Sequence, residues 1–435
     1  MNRRAFLGSV VTGVALGRVP LEAASDGFEE PVRPLPLRPG ADVVVCGGGP
    51  AGVAAAISAA RAGAKTLLLE LHGCLGGIWT TGLLSWILDH ANKSGLMTEI
   101  FQRLETHGGR AATNRNGYEP EVMKLVLEEL CTEAGVEIQL HTRVCAARRD
   151  GQRLTHVITE SKSGREAVPG KVFIDCTGDG DLGAAAGCGF DLGHPETGRT
   201  QPMTLMALVS GLVPSEVREF YREDDDRDWS GPKDRLRAAM EKGGLSPSYA
   251  KPTLFRLRDD LFALMANHEY GVLGTDARDL TAATLRARKE LHQLVNGLRS
   301  LGGPWKNLHI VATAAQIGVR EGRRLRGRYT VTVDDLREGR RQEDAVCHVT
   351  FPIDVHSTDP TKSKGTTGAG FRAKPYDIPL RALIAKDVDG LLMAGRCISG
   401  DFIAHSSYRV TGNAVAMGEA AGKVAAQVAT TGRLP

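Results

Sequence analysis

Alternating apolar and polar segments near the start of the chain predict a strand, a turn, a helix and a second strand. Residues 42–46 form an apolar, β-branched run that is typical of a buried strand. The run ends in three glycines, and an alanine-rich helical segment follows until Gly63. Residues 65–69 are apolar again and end at the acidic Glu70. This order of elements indicates an α/β fold built on a parallel sheet.

Later apolar runs are expected to return to the same sheet. Residues 171–175 and 389–394 each lead into a glycine turn, and a helix of small residues opens at residues 411–413. Between the first unit and these runs, the pattern predicts a helix over residues 120–134 and a strand over residues 136–144. We expect all of these segments to belong to the domain that the first unit begins.

Residues 190–385 have a different pattern, with fewer parallel-strand signals and more long helices. Residues 281–301 predict one long helix, and residues 329–333 and 349–355 predict strands. We interpret the whole interval as an inserted α+β substrate domain. The nucleotide-binding domain then consists of residues 41–189 and 386–435.

The N-terminal residues have the pattern of an export leader. Residues 1–25 contain Arg3 and Arg4, then a short, mildly apolar stretch, then small residues that suit a cleavage site. The arginine pair resembles a twin-arginine signal, and a chance pair in a disordered leader is the alternative. We expect the twin-arginine machinery to export the folded protein to the periplasm as a signal peptide is removed, with the proline-rich residues 26–40 as a linker.

Composition sets limits on the class of protein. The chain has 435 residues, of which 42% are hydrophobic and 24% charged, which allows a large core and two to three domains. The formal net charge of +3 implies no nucleic-acid partner, and no apolar run is long enough to span a bilayer. The eight cysteines form no C-x-x-C pair and the histidine spacing suggests no zinc site, so no metal is expected.

The turn after the first strand has the spacing G-x-G-x-x-G at Gly47, Gly49 and Gly52. Gly47 permits the tight turn, Gly49 lets a pyrophosphate approach the backbone, and Gly52 lets the helix lie close to the sheet. The helix N-terminus offers free N–H groups to phosphates, and Glu70 can bind ribose hydroxyls. An ordinary glycine-rich loop is the alternative, but the flanking strands and the terminal acid favour a dinucleotide site.

Further motifs follow along the chain. They are Leu75-Gly76-Gly77-x-x-Thr80, Asp175-x-Thr177-Gly178-Asp179-Gly180, Ile317-x-x-Arg320-Glu321-x-Arg323-Arg324, Ile353-Asp354-x-His356, Gly395-Arg396-x-Ile398-Ser399 and Ala404-His405-Ser406-x-x-Arg409. Together with the glycine turn they resemble the FAD-dependent oxidoreductase family of the glutathione-reductase-like flavoprotein superfamily, and more closely its bacterial members with a twin-arginine leader. The resemblance covers residues 42–426, and the motifs around Arg320, Asp354 and His405 are its most specific parts.

The resemblance implies a Rossmann-like FAD-binding domain of the glutathione-reductase type with an inserted α+β substrate domain. It also implies that FAD is the cofactor. The candidate cofactor contacts are Gly47, Gly49, Pro50, Ala51, Gly52, Glu70, Gly76, Gly77, Val144, Thr177, Gly178, Gly395 and Arg396, with Asn413 and Ala414 at the flavin end.

No second G-x-G-x-x-G follows the first, so the usual pyridine-nucleotide domain of a reductase is not predicted. Electrons are therefore expected to enter from a small organic substrate, such as a sugar or another alcohol, as hydride to the flavin. They would leave to oxygen, a quinone or a carrier protein. A non-catalytic FAD-binding protein and a flavin-dependent hydroxylase or halogenase are the alternatives.

Oxidising an alcohol needs a base for the hydroxyl proton and a cation or donor for the substrate oxygen. His405, expected in a loop before the last helix, is the first candidate base, and His356 is the second. Arg320 and Arg409 are candidates to orient a carboxylate or oxyanion. Either histidine could instead be structural.

Arg320 could instead have a structural role, because two acidic residues lie near it in the sequence motifs. It could pair with Glu321 or Asp354 and have no free edge for a substrate.

Overall fold

The computed structural model of the chain describes residues 30–433 except Ala112 and Asp225. The chain divides into two units, residues 1–35 and residues 36–435. Of the first unit, the six described residues have no regular secondary structure. The predicted leader, with its arginine pair, and the first residues of the predicted linker lie outside the described residues. The second unit contains every element below.

In the described part of the chain, the strands are β1 (Ala41–Cys46), β2 (Thr66–Leu69), β3 (Glu137–Gln139), β4 (Arg143–Asp150), β5 (Arg153–Ser161), β6 (Gly164–Asp175), β7 (Phe190–Asp191), β8 (Met206–Ser210), β9 (Thr253–Arg258), β10 (Leu261–Met265), β11 (His309–Thr313), β12 (Arg324–Leu325), β13 (Ala345–Val349), β14 (Val355–His356), β15 (Thr366–Thr367), β16 (Tyr376–Pro379) and β17 (Leu391–Met393). The helices are α1 (Pro50–Arg61), α2 (Leu96–Thr106), α3 (Pro120–Glu133), α4 (Asp181–Ala185), α5 (Gly231–Lys242), α6 (Ala277–Ser300), α7 (Val333–Glu338), α8 (Phe402–Tyr408) and α9 (Thr411–Thr431). Short 3₁₀ turns occur at Gly77–Trp79, Arg218–Phe220, Gly303–Trp305 and Leu380–Leu383.

The long strand β6 belongs to two sheets. Its second half, residues 170–175, pairs in parallel with β1 on one side, and its last residues pair with β17 on the other. Strands β2 and β3 extend the parallel sheet beyond β1, so the order is β3-β2-β1-β6-β17. The first half of β6 pairs antiparallel with β5, and β5 pairs antiparallel with β4. The fold is therefore α/β with parallel and antiparallel parts, as the resemblance implies for a Rossmann-like FAD-binding fold.

The central strands are apolar along their whole length because both faces are covered. Val43, Val44 and Val45 of β1 are fully buried, which explains a continuous apolar run without alternation. Helices α1 and α9 pack against each other beside this sheet. They approach so closely that a side chain at Gly418 or Gly422 would collide with α1 backbone carbonyls.

A second cluster of buried residues surrounds the antiparallel sheet β11-β8-β10-β9 together with α5 and α6. Apart from Leu83, its members lie between Met203 and Ile317. The buried residues from Leu325 to Ala385 belong instead to the first cluster, with β1, β6 and α9. The interval 190–385 thus divides between two cores. The predicted boundary after residue 385 does not coincide with this division.

Four segments differ from or refine the predicted elements. The predicted helix 281–301 begins earlier, at Ala277, because the Asp276 carboxylate accepts hydrogen bonds from the first backbone N–H groups. The predicted strand 329–333 is wrong: Val331 makes one isolated bridge, and α7 starts at Val333 behind a Thr332 capping box.

The predicted strand 349–355 is also wrong. Strand β13 ends at Val349 and β14 starts at Val355, because Pro352 lacks the N–H that a paired strand needs. The predicted strand 136–144 breaks between β3 and β4, where His141 has the left-handed φ of 54°. No helix within the described ranges is long and apolar enough to cross a membrane.

Candidate functional site

A cavity of about 1040 Å³ opens at the carboxyl ends of the parallel strands. Its walls include the residues that directly follow β1, β2, β6 and β17, at Gly47, Glu70, Cys176 and Ala394. Ligands of open α/β sheets bind at this edge. The far wall comes from the second cluster, so the cavity joins the predicted nucleotide site to the predicted substrate domain.

The glycine turn has the conformation that its spacing predicts. Gly47 has φ of 103°, and a side chain there would collide with the carbonyl of Cys176. A side chain on Gly52 would collide with the carbonyl oxygen of Gly47. At Gly49, by contrast, an added Cβ would meet no described protein atom within 4 Å, and the residue lines the cavity. Gly47 and Gly52 therefore shape the turn, whereas Gly49 leaves space for a ligand.

Glu70 supports this turn from the neighbouring strand. Its carboxylate accepts a hydrogen bond of 2.6 Å from the backbone N–H of Gly48 and one of 2.8 Å from that of His72. The side chain is buried but lines the cavity. A carboxylate oxygen accepts more than one hydrogen bond, so Glu70 can hold the turn and also accept from a ligand hydroxyl.

A second turn, after β6, lies directly beside the first, since a side chain on Gly47 would meet the backbone of Cys176 and Thr177. The buried carboxylate of Asp175 accepts hydrogen bonds from the Thr177 N–H and hydroxyl and from the Gly183 N–H. Burial raises the pKa of Asp175 to about 6, although these hydrogen bonds oppose the shift. Beside the turn, the Arg396 guanidinium forms an ion pair of 2.7 Å with Asp179.

Most predicted cofactor contacts line this one cavity. Those that do are Gly47, Gly49, Pro50, Ala51, Glu70, Gly77, Val144, Thr177, Gly178, Gly395, Arg396 and Ala414. Gly52, Gly76 and Asn413 do not. Gly76 faces Thr80 and Leu127, and the Asn413 amide N–H donates to the carbonyl of Tyr408.

His405 is not where the sequence analysis placed it. It lies inside α8, not in a loop, because the Asp401 side chain caps the helix by accepting from the Ala404 N–H. The ring is fully buried, does not line the cavity, and has no hydrogen-bond partner among the described residues. Burial, with the nearby charge of Arg324, holds its pKa well below the usual value. The ring is therefore neutral and outside the cavity.

The other three predicted catalytic residues, His356, Arg320 and Arg409, line the cavity together. His356 Nε2 lies 3.3 Å from the Asp354 carboxylate, and His356 Nδ1 lies 3.1 Å from His268 Nε2. His268 Nδ1 lies 3.1 Å from the Tyr270 hydroxyl. A carboxylate only accepts, so the Nε2–H of His356 donates to Asp354. His356 Nδ1 must then accept from the Nε2–H of His268, and His268 Nδ1 accepts from the Tyr270 hydroxyl.

The charges around His356 fix its protonation state. Burial, together with the Arg320 charge, lowers its pKa to about 4, although Asp354 opposes both. Burial alone would raise the pKa of Asp354, but the bond from His356 and the charges of Arg409 and Arg320 hold it below the usual value. At neutral pH the pair is a carboxylate beside a neutral imidazole.

Arg320 is a guanidinium without an acidic partner. One of its terminal nitrogens donates to the carbonyl of Pro202 and to the Thr204 hydroxyl, each at 2.8 Å. Within the described residues, no carboxylate lies within 4 Å of it, and neither Glu321 nor Asp354 forms the ion pair considered from the sequence. Its remaining N–H groups belong to a side chain that lines the cavity. The arrangement can bind an anion.

Arg409 is more constrained. It donates at 2.7 Å to the carbonyl of Asp354 and at 3.3 Å to Gln201, and lies 3.5 Å from the Asp354 carboxylate. Arg409 therefore positions Asp354.

Several residues of this wall were missed from the sequence. Trp229, Lys233 and Tyr249 line the cavity, and His268 and Tyr270 lie behind His356 in its hydrogen-bond chain. The first two belong to or precede α5, whose apolar pattern gives no sign of a site. His268 comes shortly after the carboxyl end of the apolar strand β10. A polar residue at such a position could have been predicted from the sequence as a candidate site residue.

The model of the FAD dependent oxidoreductase family matches residues 42–435. A pseudooxynicotine dehydrogenase from Pseudomonas sp is 43% identical over 84 residues, which are 18% of this chain and 17% of that protein. The chain thus matches under a fifth of that relative's length.

Solved structures align with most of this chain at low identity. A flavin-dependent brominase is 13% identical with a TM-score of 0.48, over 90% of this chain and 80% of that one. A geranylgeranyl bacteriochlorophyll reductase-like protein from Thermoplasma acidophilum is 14% identical with a TM-score of 0.44, over 89% and 77%. Because the family model spans nearly the whole described chain, this protein belongs to the FAD dependent oxidoreductase family, and it is an oxidoreductase with FAD as its cofactor.

Proposed function

We propose that the protein oxidises the alcohol carbon of a small organic acid, and that the electrons then pass to oxygen, a quinone or a carrier protein. The observation that carries the proposal is the Arg320 guanidinium, which lines the cavity without an acidic partner in the described chain, next to a neutral His356. A part-buried cation without an acidic partner is stabilised by a bound anion.

The residues around the glycine turn fit FAD. The open space at Gly49 and the N-terminus of α1 suit the pyrophosphate, and the Glu70 carboxylate suits a ribose. Gly395, Arg396 and Ala414 would line the remainder of the cofactor. Bound FAD supplies the acceptor for the two electrons and the hydrogen of the substrate C–H bond. The second buried cluster, around the antiparallel sheet, supports an inserted substrate domain on an FAD domain of the glutathione-reductase type.

Arg320 would hold the substrate carboxylate and so fix the position of the neighbouring hydroxyl. The hydroxyl proton would pass to the Asp354 carboxylate of the Asp354–His356 pair, which lines the cavity, because both ring nitrogens of His356 already have partners. An anion on Arg320 also changes the pair, because it offsets the positive charge that lowers the pKa of His356. The Arg320 charge also lowers the pKa of Asp354, so substrate binding would raise the pKa values of both groups towards their usual range and strengthen the Asp354 carboxylate as a base. His268 and Tyr270 would hold the ring in its orientation.

The test is a screen for anaerobic bleaching of the bound FAD. Hydroxy acids are compared with neutral alcohols of the same size, in the parent protein and in Arg320→Met. We expect hydroxy acids to bleach the parent, and the variant to lose at least about tenfold in affinity for them, since charge-assisted hydrogen bonds contribute about 1.5–3 kcal/mol. Equal bleaching by neutral alcohols, or an unaffected variant, would contradict the proposal. Reduction only by an external donor would favour a flavin-dependent hydroxylase or halogenase.

We also propose that residues 1–25 direct export to the periplasm by the twin-arginine route. The supporting observation is the pair Arg3-Arg4 ahead of a weakly apolar stretch. Changing both arginines to lysine should leave the uncleaved protein in the cytoplasm, as measured by fractionation and mass. Normal export of that variant would reject the route.

A further inference from the structure

Lys233 lies in the first turn of α5 and lines the cavity. Its side chain is nine-tenths buried, with 9% relative exposure. Its ammonium sits 3.6 Å from the ring centre of Trp229, which also lines the cavity. In the described residues, no side-chain or backbone oxygen accepts a hydrogen bond from it. The nearby acid, Asp234, is occupied by an ion pair with Lys251.

The contact with Trp229 does not satisfy the ammonium. An aromatic face attracts the charge, but it accepts none of the three N–H groups as an oxygen would. Buried polar groups are normally hydrogen-bonded, and a buried charge is normally paired. Burial lowers the pKa of Lys233 to about 8, with Arg222 acting in the same direction. An acceptor that comes from the cavity would remove this cost.

Lys233 belongs to the end of the cavity that holds the Asp354–His356 pair. Residues 249–251 connect the two, because the Tyr249 ring lies 5.8 Å from the His356 ring and Lys251 forms an ion pair with Asp234, the residue after Lys233. The glycine turn and Glu70, by contrast, lie at the strand ends of the parallel sheet. The cofactor pyrophosphate expected at that turn is therefore not the missing partner of Lys233.

At this end of the cavity, positively charged side chains outnumber negatively charged ones. The cationic side chains that line it are Arg222, Lys233, Arg320 and Arg409, and the acidic one is Asp354. Arg409 is already directed at Asp354 by a hydrogen bond to its carbonyl. One substrate carboxylate on Arg320 would leave Lys233 without an anion. Two anionic groups would give Arg320 and Lys233 one partner each, while Arg222 donates to the backbone carbonyl of Asp226.

We propose that Lys233 binds a second acidic group of the substrate, so that the substrate is a hydroxylated dianion, with one carboxylate at Arg320 and another acidic group at Lys233. This rests on the proposed function for the role of Arg320. The new element is the second acidic group, at the end of the substrate away from Arg320. Lys233 is a binding residue here, and it takes no part in the transfer of hydrogen.

The test measures binding of probe anions to the purified, FAD-loaded protein. The probes are succinate, glutarate and adipate, with butyrate, valerate and hexanoate as monoanions of equal length. Titration calorimetry and the perturbation of the flavin absorbance give the affinities. We expect one dicarboxylate to bind about 10–100-fold tighter than its matched monocarboxylate, the gain of one charge-assisted interaction.

The variants assign that gain to residues. Lys233→Met should remove the preference for the dicarboxylate and leave the monocarboxylate affinity unchanged, and Lys233→Arg should keep it. Lys242→Met, at the exposed end of the same helix, is the matched control and should bind as the parent does. The FAD content of each variant reports whether the site has folded, and Lys233→Arg keeps the test valid if the methionine variant does not fold.

Two outcomes overturn the inference separately from the proposed function. No preference for any dicarboxylate, or a preference that survives in Lys233→Met, rejects the second acidic group. If monocarboxylates still bind and Arg320→Met weakens them, the proposed function stands without it. If neither probe class depends on Arg320, both proposals fail.

Discussion

Gly49 is the residue of the glycine turn whose missing side chain serves a ligand. A Cβ at Gly49 would enter open space, whereas one at Gly52 would collide with the carbonyl of Gly47. The backbone of Gly49 is extended, with φ of −71°, which other residues also adopt. Substitutions at these two positions therefore separate cofactor binding from folding.

We expect Gly49→Val to fold but to bind no FAD, because the branched side chain would take the space open to a pyrophosphate. The ratio of flavin to protein absorbance after purification, with a thermal unfolding curve, measures both properties. Gly52→Val is the matched variant and should give no folded protein. Full yellow colour in Gly49→Val would contradict the assignment of this turn to FAD.

The two histidines of the sequence analysis have different surroundings. His356 lines the cavity beside Asp354, whereas His405 is fully buried in α8. Once a substrate is known, His356→Ala should slow reduction of the bound FAD by up to about 10²–10⁴-fold, the usual contribution of a general base, because the Asp354 carboxylate loses the ring that positions it. His405→Leu should keep the parent rate if it keeps FAD. The reverse result would return the role to His405.

The pH dependence of the same reaction follows from the pKa of His356. A base works when unprotonated, so the rate at low substrate concentration should fall as the pH decreases through about 4. At saturating substrate the fall should start at a higher pH, because the bound anion offsets the Arg320 charge. Rapid-mixing measurements of flavin reduction against pH give both profiles. Identical profiles would argue against an anion on Arg320.

The sequence was sufficient to predict those site residues whose role depends only on neighbouring atoms. The glycines follow from the sterics of a few neighbouring atoms, so their spacing was sufficient. Lys233 and His268 reach the site through tertiary packing that no spacing encodes. His405 was misplaced because Gly400 suggested a loop, while the Asp401 cap that starts α8 was overlooked.

Among the elements, α9 supports α1, the helix that begins at the glycine turn. Gly418 and Gly422 lie one turn apart, and a Cβ on either would collide with the carbonyl of Ala51 or Ala55 in α1. The small residues of this helix are evident in the sequence, and its first turn, with Asn413, is predicted to contact the flavin end of the cofactor. Ala414 lines the cavity, whereas the small residues further along allow the two helices to pack closely.

Gly422→Val should lower the free energy of unfolding by about 1–3 kcal/mol, because the added side chain forces the two helices apart. The same change should weaken FAD binding, since it moves the helix that carries the phosphate turn. Gln427→Val, at an exposed position of α9, is the control and should have a small effect. Chemical denaturation and FAD titration test the two expectations. Parent-like stability would show that the contact tolerates a larger spacing.

The elements predicted correctly are those with strong and uninterrupted patterns. Strand β1, helix α1 and helix α6 are long or continuously apolar, so their type was clear. The strands predicted at 329–333 and 349–355 failed because a capping box and a proline decide those segments, and both outweigh β propensity.

For the whole molecule, buried neutral histidines make stability depend on pH. Burial lowers the pKa of His405 well below 6.5, so the unfolded chain binds a proton that the folded one does not. Stability from this source is present above pH 6.5 and decreases as the pH falls below it, by at most about 1.4 kcal/mol per pH unit. His405→Leu should make the pH dependence of unfolding shallower by up to this amount between pH 6.5 and 4. Denaturation curves at several pH values measure it, and an unchanged slope would mean that the ring is protonated in the folded protein.

The domain plan was predictable only in outline. The change of pattern after residue 190 indicated a second core, and one is present around β8–β11. Its end was not visible, because the segments from Leu325 to Ala385 are short and irregular and return to the first core. Which core buries an apolar residue is a long-range property.

The nucleotide pocket depends on the pairing of β17 with β6 and on the packing of α9 against α1. It can therefore be completed only late in the synthesis of the described chain. The phosphate turn is made early, but the strand and helix that support it are among the last parts of the described chain to leave the ribosome. Contacts of such long sequence separation form slowly, since the intervening chain must first be closed into a loop. A nascent chain therefore carries an incomplete nucleotide pocket for most of its translation. We therefore expect capture of FAD only after α9 has been synthesised, so that free FAD acts on the protein as a late-stage folding ligand.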